Sequence, residues 1–148
     1  MAQGEYVSPE RLENVYIGHP GIGTIFVHGD STETALVAVI GPDPEPFAAW
    51  ATKVLRRPIS VAEISSVFED PKIKKTMLKD LEKIAETRKL LGFERIKAIH
   101  IASDPFTVEN ELLTPTLKLK RSDAAKAFRQ HIDEMYKVIT ANQAKAKL

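Results

Sequence analysis

The sequence predicts an α+β domain: a small mixed sheet with an N-terminal two-stranded hairpin, flanked by helices. Three observations carry this. Two runs rich in β-branched and aromatic residues, TIFVHG and TALVAVIG, lie close together with GDST between them. Segments with apolar residues at steps of three and four stand before and after that pair. A third apolar run, RIKAIHIAS, arrives only after the helical middle, and no repeat or low-complexity linker divides the 148 residues, a single domain's length.

In chain order, VSPERLENVY reads as the first helix. Ser8 suits the N-cap, Pro9 the first turn and Glu10 the positive helix end, with Leu12, Val15 and Tyr16 on one face and Pro20 as the stop. TIFVHG and TALVAVIG follow as an antiparallel pair. The second is apolar at nearly every position and is expected to be central or covered on both faces. GPDPEP leads into a helix over PFAAWATKVL, with Phe47, Trp50 and Leu55 turned inward. Ser60 and Glu63 form a capping-box pair at the start of SVAEISSVF. Asp70-Pro71 opens what reads as the longest helix, with Ile73, Met77, Leu81, Ile84 and Ala85 inward, Arg88 and Lys89 at its negative end and Gly92 as its cap. After the strand RIKAIHIAS comes an irregular stretch, then a final helix from about Ser122. Its apolar stripe is Phe128, Ile132, Met135, Tyr136 and Ile139, and residues 141–148 read as a fraying tail.

Composition excludes several classes. Lys+Arg is 21 against Asp+Glu 20, a net charge of +1, so no field steers the chain to nucleic acid. With no cysteine there is no disulfide, thiolate nucleophile or thiolate metal site, and His19, His28, His100 and His131 lack metal-ligand spacing. No apolar run approaches the roughly 18 residues of a membrane span, and neither a GxGxxG nor a GxxxxGK[ST] phosphate cradle is present. Glu109 and Glu111 read as solvated loop carboxylates, His100 as a hydrogen-bonded structural histidine, and Phe47 with Trp50 as core. KIKKTMLKDLEKIAETRK mixes acids and bases, which is a solvated helix face.

LTPTLKLKR, residues 113–121, is different in kind. Pro115 pushes Thr114 away from helix, and alternation then places Lys118 and Lys120 on one side with Leu117 and Leu119 anchoring the other. Taken alone this is a solvated edge strand in which lysine blocks further pairing. Lysines that do chemistry also occupy such segments.

Two stretches together, AQGEYVSPERLENVY at 2–16 and NELLTPTLKLKR at 110–121, resemble the C-terminal domain of long-chain fatty-acid CoA ligases, AMP-forming acyl-CoA synthetases of the adenylate-forming superfamily. VIGPDPEPFAAWA resembles what these ligases carry between the two, so the likeness covers nearly the whole chain. The lids of other adenylating enzymes (luciferase-like or aryl-acid ligases) and a freestanding non-catalytic binding module are the competing readings. The Leu-Thr-Pro-Thr run and QGEYVSPERLENVY favour the long-chain group.

The resemblance implies a mobile lid working with a large N-terminal domain that binds ATP and fatty acid. One lid face would serve acyl-AMP formation and another thioester formation with CoA. The family's catalytic lysine has an arginine three residues later. Lys118 with Arg121 meets that spacing, whereas Lys120 would need arginine where Asp123 stands. Lys118 is thus the implied catalytic residue, with Lys120 and Arg121 supporting it. Many relatives carry glycine just before that lysine; here it is Leu117. By the same likeness Gly4, with Glu5, would lie beside the CoA pantetheine arm, where a residue without Cβ permits close approach. Mg2+ would be bound outside this domain. The chain would be an excised lid with Met1 added, inactive by itself. Ala146-Lys147-Leu148 varies the C-terminal Ser-Lys-Leu peroxisomal address, which implies an import receptor as a further partner; the alternative location is cytoplasmic.

Overall fold

The computed structural model describes residues 7–30, 33, 35–104 and 106–146. Helix α1 (Pro9–Tyr16) starts as its sequence signals: Ser8 Oγ accepts from the Arg11 N–H, and Leu12, Val15 and Tyr16 are buried. Strands β1 (Ile22–His28) and β2 (Leu36–Pro42) pair antiparallel, with Ile25 opposite Ile40 and Val27 opposite Ala38. Strand β3 (Ile96–Ile101) lies parallel on the other side of β2, giving the order β1-β2-β3. The sheet is mixed and small, with helices on both faces, as expected.

The centre of the fold is β2. Its side chains alternate, so Leu36, Ala38 and Ile40 enter one core while Val37 and Val39 enter another. The first core is closed by α1, by α2 (Pro44–Leu55) and by α3 (Pro71–Thr87), through Leu12, Phe47, Ile73, Met77 and Leu81. The second is closed by α4 (Arg121–Ala127) and α5 (Arg129–Ala146), through Ala124, Ile132, Met135 and Tyr136. The Tyr136 hydroxyl donates to the Ala35 carbonyl and accepts from the Asp30 N–H, and burial raises its pKa to about 12. Because both faces of β2 are covered, neither side can carry polar residues, which is why its sequence shows no alternation.

Several elements depart from the sequence reading. Helix α3 ends through Lys89, not Gly92. Lys89 takes φ 57, with Lys89 N–H donating to Glu86 O at 3.1 Å and Leu90 N–H to Ala85 O at 2.9 Å, while Gly92 opens a short 3-10 turn. The bond pattern that closes a helix is backbone-made, so a lysine can occupy the left-handed position at modest cost. The Ser60–Glu63 capping box forms, but it opens a 3-10 helix over Val61–Val67. Trp50 is only half-buried; its indole N–H donates to Asp80 at 2.9 Å. The final helix is two: α4 stops at Phe128, and α5, at 18 residues, is one longer than α3. It remains helical to Ala146, further than the sequence places it, with residues 141–145 exposed. Among the described residues no helix is long and apolar enough to cross a membrane.

Candidate functional site

The segment read as an edge strand is a tight hairpin. Leu113 bridges Leu119 antiparallel, Thr114 N–H donates to Lys118 O at 2.7 Å, and Lys120 N–H donates to Leu112 O at 2.8 Å. Leu117 N–H closes the turn onto Thr114 O at 2.8 Å, and Lys118 N–H reaches Thr114 Oγ1 at 3.1 Å. Pro115, Thr116 and Leu117 are therefore a three-residue loop whose last member takes the left-handed conformation, φ 65. Thr114-Pro115 starts a turn for the reasons its sequence offers. What the sequence hides is the left-handed position, because leucine there signals nothing. Leu117 is consequently not an anchor. It is 69% exposed, and Leu113 and Leu119 pack on the second core in its place.

Upstream, Asn110 holds the approach to the hairpin, its side-chain oxygen accepting from Thr107 and Leu112 N–H at 3.1 and 3.2 Å. Glu109 and Glu111 are exposed there, in keeping with solvated carboxylates. Downstream, Arg121 begins α4 and grips Glu13 of α1 with two nitrogens, Nη1 lying 3.0 Å from Oε2. The same Oε2 accepts from the Val27 N–H of β1 at 2.8 Å. One carboxylate thus ties α1, an edge of the sheet and the base of the hairpin together.

Between these parts lies a cleft of about 330 Å3. Asn14 of α1 and Ile17, the residue that caps its C-terminus, form one wall, Thr24 and Ile25 of β1 with Phe106 the floor, and the Leu117–Leu119 arm the other wall. The floor is tight: Phe106 sits over Gly41, where an added Cβ would come within 2.2 Å of Thr24 Oγ1. Lys118 stands on the rim, exposed, and among the described residues its ammonium has no ion-pair partner. Lys120 is different, with Nζ 3.6 Å from Asp123 Oδ2. So the three basic residues divide: Arg121 is occupied by Glu13, Lys120 lies beside Asp123, and Lys118, on a backbone held by four hydrogen bonds, is the one of the three whose cation is unpaired among the described residues. Such a group can stabilise an anion that comes to it. Gly4 and Glu5 lie outside the described residues.

The remaining histidine candidate is structural in a way its sequence did not announce. His100 stacks on His131 with ring centroids 3.7 Å apart and planes 11° apart. Burial, reinforced by the neighbouring imidazole, lowers its pKa to about 4. Among the described residues no cluster of three metal-ligating side chains occurs.

This architecture has clear counterparts. The adenylation domain of carboxylic acid reductase from Segniliparus rugosus, solved with AMP and a co-purified carboxylic acid, superposes with a TM-score of 0.75 at 27% identity, over 94% of this chain and 19% of that one. The corresponding domain from Mycobacterium chelonae gives 0.73 at 28%, over 92% and 19%. The fold is that of a C-terminal domain of an adenylate-forming enzyme. No family model matches the chain. The sequence is 46% identical over 154 aligned positions to peroxisomal acyl-CoA ligase 891 of Penicillium roqueforti, covering all of this chain and 22% of that protein. It is 43% identical to human long-chain-fatty-acid--CoA ligase 6 (93% and 19%) and 39% identical to Arabidopsis thaliana peroxisomal long chain acyl-CoA synthetase 7 (96% and 20%). Within the adenylate-forming enzymes, the chain belongs to the long-chain acyl-CoA ligases as their C-terminal part. It spans about a fifth of the length of the curated relatives it matches.

Proposed function

We propose that this chain is the mobile catalytic lid of an AMP-forming long-chain fatty-acid CoA ligase and that Lys118 serves its first half-reaction. The observation that carries the reading is the Lys118 ammonium, without an ion-pair partner among the described residues, on a braced hairpin. In that half-reaction a carboxylate oxygen attacks the α-phosphorus of ATP and pyrophosphate leaves. Two anions meet, and charge grows on the phosphoryl oxygens. An ammonium bridging carboxylate and phosphate stabilises that charge, and a lysine's long stem suits a contact made in one lid position only. Arg121 supports it indirectly, by holding the hairpin base to Glu13, and Lys120 flanks it.

In the second half-reaction the CoA thiol attacks the acyl carbon and AMP leaves. The lid would then present the Gly4–Glu5 face to the pantetheine arm. ATP, CoA and fatty acid are the substrates in this reading, the enzyme's N-terminal domain is the partner, and Mg2+ is held in that domain. The 148 residues alone turn over nothing. The experiment is Lys118→Ala in the complete ligase. Fatty-acid-dependent ATP–pyrophosphate exchange should fall by about 10²- to 10³-fold, while thioester formation from supplied acyl-AMP stays within a few-fold. Equal loss in both half-reactions, or acyl-CoA made by the 148-residue chain, overturns the assignment.

Two of the relatives above are named as peroxisomal, and the chain ends Ala146-Lys147-Leu148. We read it as a peroxisomal protein recognised by an import receptor through that tripeptide. Residues 137–148 fused to a fluorescent protein should collect in peroxisomes; a diffuse cytosolic signal refutes this.

A further inference from the structure

Four non-glycine residues among those described take positive φ: Arg56, Lys89, Glu111 and Leu117. Three are long charged side chains, for which an exposed left-handed position loses no burial. Leu117 is the exception, combining φ 65 with an apolar side chain 69% exposed. Both features count against leucine within this chain, because glycine would relax the backbone and expose less apolar surface. The hairpin holds the conformation regardless, through Thr114 N–H to Lys118 O at 2.7 Å and Leu117 N–H to Thr114 O at 2.8 Å. Strained residues held in place by their surroundings concentrate at ligand clamps and docking points.

We propose that the Leu117 side chain is a docking contact. It packs against the part of the ligase outside this chain that carries the acyl-adenylate, and so sets where the adjacent Lys118 ammonium lands. Three observations select that occupant. Lys118, the next residue, has no anionic partner among the described residues, so the surface that meets it must bring one. Ile17, 40% exposed, lines the same cleft, so Leu117 has a second exposed apolar side chain near it, while of the two cations in the lining Arg121 is paired with Glu13 and Lys118 is not. The curated relatives are about five times longer than this chain, and the adenylation domain solved with AMP is likewise larger. Leu117 is a positioning residue, acting through Lys118, and the proposal rests on the lid reading above.

The test places Leu117→Gly, Leu117→Ala and Leu117→Met in the complete ligase, with Lys118→Ala alongside. Loss of the contact should lower adenylation about tenfold in both the Gly and Ala variants. The Met variant should stay within about twofold, since it keeps an apolar side chain of similar volume. Thioester formation from supplied acyl-AMP should be unchanged in all three. Leu117→Gly in the 148-residue chain should leave the thermal midpoint no lower than wild type. Full adenylation in the Gly variant overturns the proposal and leaves Leu117 only a backbone role, and so does a lowered thermal midpoint. If Lys118→Ala adenylates normally, the lid reading itself fails. If Lys118→Ala is crippled and the Leu117 variants are not, the lid reading stands and the docking contact is wrong.

Discussion

From Leu36 to Gly41 every residue of β2 is buried, and its side chains feed two cores through successive positions. From Leu113 to Leu119 the chain has one antiparallel bridge, four exposed residues and a leucine in a glycine's conformation. Both segments are short and leucine-bearing, yet different rules hold them. In β2 the packing dictates the residue, and a polar group would be stranded without a partner. In the hairpin backbone hydrogen bonds dictate the path, and side chains at the tip are free to be chosen for something outside the domain. Lys118 sits where stability places no demand on it, which is the condition under which a cation can be left unpaired.

Glu13 joins the two regions, and removing it is the larger test of their separation. It accepts from Arg121 at the hairpin base and from the Val27 N–H of the sheet. Glu13→Ala should cost about 1–3 kcal/mol, because a partly buried N–H and a guanidinium both lose their acceptor. Arg121→Ala should cost about 1 kcal/mol, since Glu13 keeps the Val27 bond. Urea unfolding of the two single variants and the double variant gives the coupling. A cost for Arg121→Ala above that for Glu13→Ala would show that the hairpin is part of the body's packing, not an appendage fastened to it.

The same division explains what could be read in advance. The apolar run of β2, the three-and-four spacing of α3 and the Ser8-Pro9 start of α1 are local signals with burial behind them, and all three elements stand where expected. The cap at Lys89 and the left-handed position of Leu117 were hidden because positive φ was forced by backbone bonding, with no glycine to mark it. The cleft was hidden for another reason. It joins Ile17, Ile25, Phe106 and Leu117, residues brought together by the sheet and not by any spacing along the chain. The family spacing to Arg121 selects Lys118 over Lys120; the ion pairs add a physical distinction, since Lys120 lies 3.6 Å from Asp123 while Lys118, with Glu10 and Glu13 lining the same cleft, forms no ion pair among the described residues.

A smaller effect separates the two regions by pH. His100 on β3 faces His131 and Glu134 of α5, Glu69 just before α3 and Lys74 within it. Burial is the largest influence, with His131 next, and the pKa falls from 6.5 to about 4. The unfolded chain therefore takes up a proton on this residue at a pH where the folded chain does not. Stability should fall as pH drops from about 6.5 toward 4, with a slope approaching one proton at most. Asp30, Glu63 and Glu69 also have lowered pKa values, chiefly through hydrogen bonds from Arg129, Ser60 and Lys74 respectively. Their contributions begin to fade as pH falls through the ordinary carboxylate range and go on fading below it, so the His100 contribution is read in the upper part of the window, where those carboxylates are still ionised in both states. His100→Gln should flatten the urea midpoint between pH 6.5 and 4.5 and leave the steeper acid limb in place. Lys118→Ala should leave the whole curve where it was, because its ammonium forms no ion pair among the described residues. A slope in the upper window that survives His100→Gln would assign it to another group, and a curve moved by Lys118→Ala would tie the hairpin to the body's electrostatics after all.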